Sequence, residues 1–231
     1  MRNCILASTS TIYGQRFLEY LYQPLRTLFR ESQKILFVPY ARPGGISHEV
    51  YTERTAAFFK TLNKSVSGLH TYVSIEEALS ETDGIYIGGG NTFVLLKQLQ
   101  DTNALEPLRK SIHEGIPYLG TSAGSNVAGV TVHTTNDMPV THPSSLKAMG
   151  IIPYNLNCHF VDKDITSTHM GETREERIIE YFAYNSVPVI GLYEGSWLQI
   201  NDQKIQLHGS LGAKLFSPNT PPLQLEDKSI L

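Results

Sequence analysis

The chain has 231 residues and a formal net charge of −3, with a pI near 6.2. Its lysines and arginines are scattered rather than gathered into a stripe, which argues against a nucleic-acid partner and for a small one. Apolar stretches are only a few residues long and MRNCILAST lacks a signal-peptide core, so neither membrane insertion nor secretion is expected. The two cysteines, Cys4 and Cys158, are too few for a disulfide framework and suit a reducing cytoplasm.

In chain order, Asn3 to Ala7, Lys34 to Pro39, Val66 to Thr71, Gly84 to Ile87 and Ile116 to Leu119 read as strands. Several are apolar without alternation, as expected when both faces of a sheet are covered. Helical patterns separate them. Phe17, Leu18, Leu21, Leu25 and Leu28 share a face, with Pro24 expected to kink or divide that helix. Ser74 to Glu77 reads as a capping box, and Thr173 to Glu176 repeats the device before Ile178, Ile179 and Phe182. Alternating strand and helix predict an α/β fold, a single domain over 1–231 with a mostly parallel sheet and helices on both faces. Ligands of such sheets bind beyond the carboxyl ends of the strands. Residues 130–172, rich in Thr, Asn, His and Pro, are expected to form extended loops or a small excursion over those ends. Val189 to Leu192 reads as a further strand, and the runs 197–200 and 204–207 around Asn201-Asp202 as a hairpin. Residues 217–231 are expected to be loose.

Two segments carry the chemistry. Gly88-Gly89-Gly90-Asn91-Thr92 follows a strand and opens a helix. It lacks the lysine of a P-loop and the spacing of a dinucleotide fingerprint, so a phosphate cradle competes with a turn and with a loop that donates an N–H to an oxyanion. Gly120-Thr121-Ser122-Ala123-Gly124 has the layout of a nucleophile elbow. There a strand turns sharply into a helix, exposing the serine hydroxyl and aiming the next residue's amide, that of Ala123, at an oxyanion.

A serine hydroxyl needs a base, and a base needs an acid to fix its tautomer. Of the eight histidines, His159 in Asn157-Cys158-His159-Phe160 is the preferred base, with His133, His142 and His169 as competitors in the same region. Asp137 and Glu194 both qualify as the acid, Glu194 because it follows the predicted strand at 189–192. The histidines show no metal-ligand spacing and there is no CxxC or HExxH string, so neither a metal nor another cofactor is expected.

The blocks GGGNTF at 88–93, GTSAG at 120–124, TTNDMP at 134–139, Asn-x-His-Phe at 157–160, HMGETREERI at 169–178 and LYEGSW at 192–197 resemble peptidase E, the cytoplasmic aspartyl dipeptidases, in that order and over nearly the whole chain. The resemblance implies a flavodoxin-like fold similar to glutamine amidotransferase domains and hydrolysis of dipeptides with an amino-terminal aspartate. It implies Ser122 as nucleophile, His159 as base, and an oxyanion hole from the amides of Gly89, Gly90 and Ala123, while leaving both Asp137 and Glu194 open as the acid. Cys158 departs from the proline expected before the histidine, which puts the backbone around His159 in question; a nucleophilic Cys158 is disfavoured. For a substrate aspartate, Arg174 is the candidate for gripping the side-chain carboxylate with two hydrogen bonds, and Glu172, Glu175 or Asp137 for receiving the ammonium. The rival readings are a hydrolase of β-linked aspartyl bonds, akin to cyanophycin-degrading enzymes, and a non-catalytic small-molecule binding module. A glutamine amidotransferase is disfavoured because its elbow carries cysteine. A homodimer is one assembly the sequence leaves open.

Overall fold

The computed structural model describes residues 1–166, 168 and 170–231. In chain order the first half forms β1 (Asn3–Ala7), α1 (Tyr22–Leu28), β2 (Lys34–Val38), α2 (His48–Lys60), β3 (Ser65–Gly68), α3 (Ile75–Ser80), β4 (Gly84–Ile87), α4 (Thr92–Asp101), α5 (Leu105–Glu114), β5 (Tyr118–Thr121) and α6 (Ala123–Asn126). The second half forms β6 (Asn155–Phe160), α7 (Arg174–Tyr181), β7 (Val189–Tyr193), β8 (Trp197–Asn201), β9 (Lys204–His208), β10 (Ala213–Phe216) and β11 (Leu223–Leu225).

The larger sheet has seven strands in the order β3-β2-β4-β5-β1-β8-β9. Its first five are parallel, and β8 and β9 add antiparallel beside β1. Period-two alternation sends Ile5, Ala7, Ile35 and Phe37 to one face, where they pack with Leu21, Leu25, Tyr51 and Phe59. Cys4, Leu6, Leu36 and Val38 point to the other, against Leu95, Leu96 and Leu99 of α4 and Leu108 and Ile112 of α5. Both faces are therefore covered, as the unbroken apolar runs predict.

A second sheet, in the order β11-β10-β7-β6, is not expected from the sequence. Its β6 and β7 are parallel and the remaining pairs antiparallel. Leu156, Ile190 and Leu192 turn inward to the core shared with the large sheet, while Phe160, Val189 and Phe216 pack outward on Ile178 of α7. At the junction stands Ser8, fully buried just past β1. Its hydroxyl donates to the carbonyl of Leu192 at 2.9 Å and accepts from the amide of His159 at 2.8 Å. One side chain thus stitches the end of the large sheet to both parallel strands of the small one.

Several boundaries move, each for a local reason. Pro117 has no N–H for a ladder, so β5 starts at Tyr118 and runs on to Thr121. The strand expected over 66–71 stops at Gly68 and becomes a 3-10 turn at Leu69–Thr71. The helix expected from Phe17 is divided: a 3-10 turn spans Glu19–Leu21 and α1 begins at Tyr22, placing Pro24 in a first turn where its N–H would be unpaired anyway. The capping box at Thr173 is complete; at Ser74 the hydroxyl caps Glu77, but the Glu77 carboxylate reaches the amide of Val73 instead. The tail is not loose. Residues 223–225 pair with β10, and Lys228 and Leu231 donate their amides to the carbonyls of Leu207 and Ile205 on β9. Among the described residues no helix is long and apolar enough to cross a membrane.

Candidate active site

The elbow forms because β5 sits between β4 and β1 and α6 must leave it within a single residue. Ser122 takes that residue at φ 51°, ψ −110°, a sparsely populated conformation that costs roughly 1–3 kcal/mol and persists only where the surroundings over-determine it. They do. The Ser122 amide donates to the carbonyl of Ala7 at 3.0 Å, the Ser125 hydroxyl bonds the carbonyls of Ala7 and Gly120, and the Tyr118 hydroxyl donates to the carbonyl of Gly124 at 2.6 Å. The motif's two glycines are required by contact: a Cβ on Gly124 would lie 2.0 Å from the carbonyl oxygen of Ile87, and one on Gly120 2.7 Å from that of Gly124.

The Ser122 hydroxyl meets His159 Nε2 at 3.0 Å, and His159 Nδ1 meets Glu194 Oε1 at 2.7 Å. The imidazole reaches across the junction because β6 bulges between Cys158 and Phe160, with His159 at φ 56°. Residues 157–160, expected in a loop-rich region, are the end of strand β6. Glu194 follows β7, the parallel neighbour of β6, so base and acid leave adjacent strand ends together. The His159 and Glu194 side chains are 38% and 52% exposed, leaving the pair open to a ligand.

A network behind this pair ties its segments together. The Lys214 ammonium on β10 bonds Asp162 at 2.5 Å and Glu175 at 3.1 Å, and the Tyr193 hydroxyl donates to Asp162 at 2.6 Å. Asp162 follows β6, Glu175 adjoins Arg174, and Tyr193 adjoins Glu194. Burial alone would raise the Asp162 pKa, but the hydrogen bonds from Lys214 and Tyr193 bring it below the usual carboxylate range.

Asp137, the other candidate acid, is not beside the imidazole. Its Oδ2 accepts from the Thr92 amide at 2.8 Å and the Thr135 hydroxyl at 2.9 Å, and the Asn91 side chain holds the Met138 carbonyl at 2.8 Å. The carboxylate therefore sits at the start of α4, pinning the 134–138 loop over the glycine loop.

The three expected oxyanion donors separate as well. Gly89 lies against Ser122, a Cβ built on it being 3.1 Å from Ser122 Cβ. Its amide, however, donates to the Tyr51 hydroxyl at 3.1 Å, so it is already engaged. The amides of Gly90 and Ala123 make no hydrogen bond among the described residues.

Among the substrate candidates, Glu172 lies 3.7 Å from Arg177 and Glu175 is committed to Lys214. Arg174 is different: its Nη1 is buried without a partner among the described residues. Desolvation, then the neighbouring Arg177, push its pKa down, while Glu194 pushes it up. The guanidinium thus stands within the field of the Glu194 carboxylate, with Nη1 short of an acceptor among the described residues. His133 bonds Thr131 and His142 is exposed, and among the described residues neither is hydrogen-bonded to Ser122, whose partner is His159; His169 lies outside the described residues. Cys158 is buried at 3% exposure and burial drives its thiol pKa far up, so it is no nucleophile. No group of three or more metal-ligating side chains occurs among the described residues.

A hydroxyl, an imidazole and a carboxylate in hydrogen-bonded series, with the hydroxyl on a strained strand-to-helix turn, define a serine hydrolase. The profile of peptidase family S51 matches residues 4–208, and the chain belongs to that family. A probable alpha-aspartyl dipeptidase of Drosophila melanogaster is 43% identical over 218 residues, covering 93% of this chain and 90% of the relative. A peptidase E of Streptomyces coelicolor is 40% identical over 223 residues, covering 96% and 90%. Among solved structures, a putative peptidase E protein from Listeria monocytogenes EGD-e superposes with a TM-score of 0.66 at 20% identity over 90% of this chain and 98% of that one. A peptidase from an acI-B1 Actinobacterium gives 0.72 at 17% over 100% and 96%. At those identities the structural likeness concerns the fold.

Sequence reasoning missed Ser8 and Tyr51. Ser8 is one of several small polar residues after β1, and Tyr51 reads as an ordinary buried position of a helix. Only the assembled structure connects the first to His159 and the second to Gly89.

Proposed function

We propose that the chain is an α-aspartyl dipeptidase of the cytoplasm, cleaving Asp-X without a metal. Ser122 attacks the carbonyl carbon of the aspartyl residue while His159 Nε2 takes the hydroxyl proton. Glu194 holds the Nδ1 proton and stabilises the imidazolium. The amides of Ala123 and Gly90 receive the developing oxyanion, where preorganised donors are worth more than in water. His159 then passes its proton to the departing amine, and water, activated the same way, releases aspartate from the acyl-enzyme.

The observation that carries the reading is Nη1 of Arg174, buried without a partner among the described residues on a guanidinium that feels the charge of Glu194. A buried guanidinium nitrogen with no acceptor among the described residues calls for a carboxylate ligand, and a substrate side chain delivers one in bidentate geometry. Asp137, whose Oδ2 is already occupied, offers its remaining oxygen to the substrate ammonium.

The test is a panel of Asp-Leu, Ala-Leu and β-Asp-Leu, followed by release of free amino acid. Asp-Leu should be cleaved and the others hardly, and Ser122→Ala should lower kcat by about 10⁶-fold. A Ser122→Ala variant that kept most of its activity would refute the nucleophile, and preferential cleavage of β-Asp-Leu would replace the substrate class. No cleavage at all, with no fluorophosphonate labelling of Ser122, would favour a binding module.

A further inference from the structure

The proposed reading accounts for the substrate's aspartyl half and leaves its other end unassigned. A free dipeptide carries a carboxylate three bonds beyond the scissile carbon, roughly 3.5 Å away by standard bond lengths. Against the glycine loop lies a cation, Arg42, to which that reading gives no role.

Arg42 follows β2 in a segment fastened to that loop at two points. The Asn91 amide donates to the carbonyl of Ala41 at 2.7 Å, and Arg42 Nε donates to the carbonyl of Gly89 at 3.2 Å. The guanidinium also lies over the Tyr51 ring, 5.4 Å from its centroid. The Tyr51 hydroxyl in turn bonds Gly89 through both its amide and its carbonyl. Gly89 is the residue packed on Ser122, a Cβ built on it lying 3.8 Å from Ser122 Oγ. A normally mobile exposed arginine is therefore held one residue away from the nucleophile. Among the described residues no carboxylate lies within ion-pair distance of it.

Building on the dipeptidase reading, we infer that Arg42 is the anchor for the substrate's C-terminal carboxylate. With Nε bonded to Gly89 and no carboxylate paired with it among the described residues, the guanidinium has terminal nitrogens to offer an anion, and its contacts with Tyr51 fix the plane in which it does so. Such an anchor measures the distance from Ser122 to the end of the substrate. It selects a free dipeptide over a longer peptide, whose next residue would replace the carboxylate with a neutral amide.

The experiment compares kcat/KM for Asp-Leu and for Asp-Leu-amide, which lacks the terminal charge, in the wild-type protein and in Arg42→Gln. Arg42 is exposed, so the variant should keep its melting temperature. The wild type should prefer the free acid by about tenfold, the worth of one charge-assisted contact, and Arg42→Gln should bring that ratio to about one, with the loss falling on Asp-Leu; Arg42→Lys should restore part of it. An unchanged ratio in Arg42→Gln would overturn the assignment, as would an equal loss on both substrates, which would mean that Arg42 only braces Gly89. If the wild type cleaved neither substrate, the dipeptidase reading itself would fall, and the anchor with it.

Discussion

The two sheets contribute opposite kinds of group to one site. The seven-stranded sheet supplies Ser122 and the backbone amides proposed as donors, and it shapes them within a few residues: the strain at Ser122 is imposed by neighbours in β1, β4, β5 and α6. The four-stranded sheet and α7 supply the titratable side chains, His159, Glu194 and Arg174, and hold them through contacts among segments far apart in sequence, with Lys214 and Ser8 at the crossings. In the second half the capping box at Thr173 fixes only the start of α7, and the placing of His159 and Glu194 rests on tertiary contacts.

Substitutions should expose that asymmetry. The largest effect is expected from His159→Ala, which removes the base and should cost about 10⁶-fold in kcat, as much as losing the nucleophile; a loss under a hundredfold would mean that another group deprotonates Ser122. Glu194→Gln keeps the shape but not the charge and should lower kcat by about 10⁴-fold, whereas Asp137→Asn should act mainly on KM; the reverse result would exchange the two carboxylates. Arg174→Gln should reduce kcat/KM for Asp-Leu by about 10²-fold, the scale of a partner lost from a desolvated charge pair, while leaving fluorophosphonate labelling of Ser122 intact. Lys214→Met should cost about tenfold to a hundredfold, since small displacements of catalytic groups are expensive; restoration by Lys214→Arg at equal thermal stability would separate positioning from folding. The smallest effect is expected from iodoacetamide. Burial pushes the Cys4 thiol up to about 12 and the Cys158 thiol further, so neither should be alkylated at neutral pH and activity should persist.

What the sequence reveals follows the same boundary. β1, β2, β4 and β5 are legible because strands covered on both faces must be apolar throughout, and the elbow is legible because Gly120 and Gly124 are sterically required there. β6 is not, since Asn-Leu-Asn-Cys-His-Phe reads as polar loop. Its Asn155 and Asn157 are buried only because Thr131, Tyr181 and Thr134 satisfy their amide groups, and those partners are chosen by tertiary structure. The choice between Asp137 and Glu194 fails for the same reason: each follows or enters a turn near the site, and nothing local says which one faces Nδ1. The glycine loop alone suggests that Gly89 donates to an oxyanion, and the hydroxyl that occupies its amide is invisible there because it comes from Tyr51, 38 residues earlier.

The attachment of residues 228–231 to β9 bears on how the molecule behaves in a crowd. β9 is an outer strand of the large sheet, and an uncovered strand edge is a template for pairing with other chains. The amides of Lys228 and Leu231, the carbonyl of Ser229 and the bridge between Ile230 and Gln206 occupy that edge. At the opposite side the sheet ends in β3, only four residues long. A fusion that drew residues 228–231 away from β9 would therefore open a five-residue edge and promote self-association, even though Ser122, His159 and Glu194 stayed where they are.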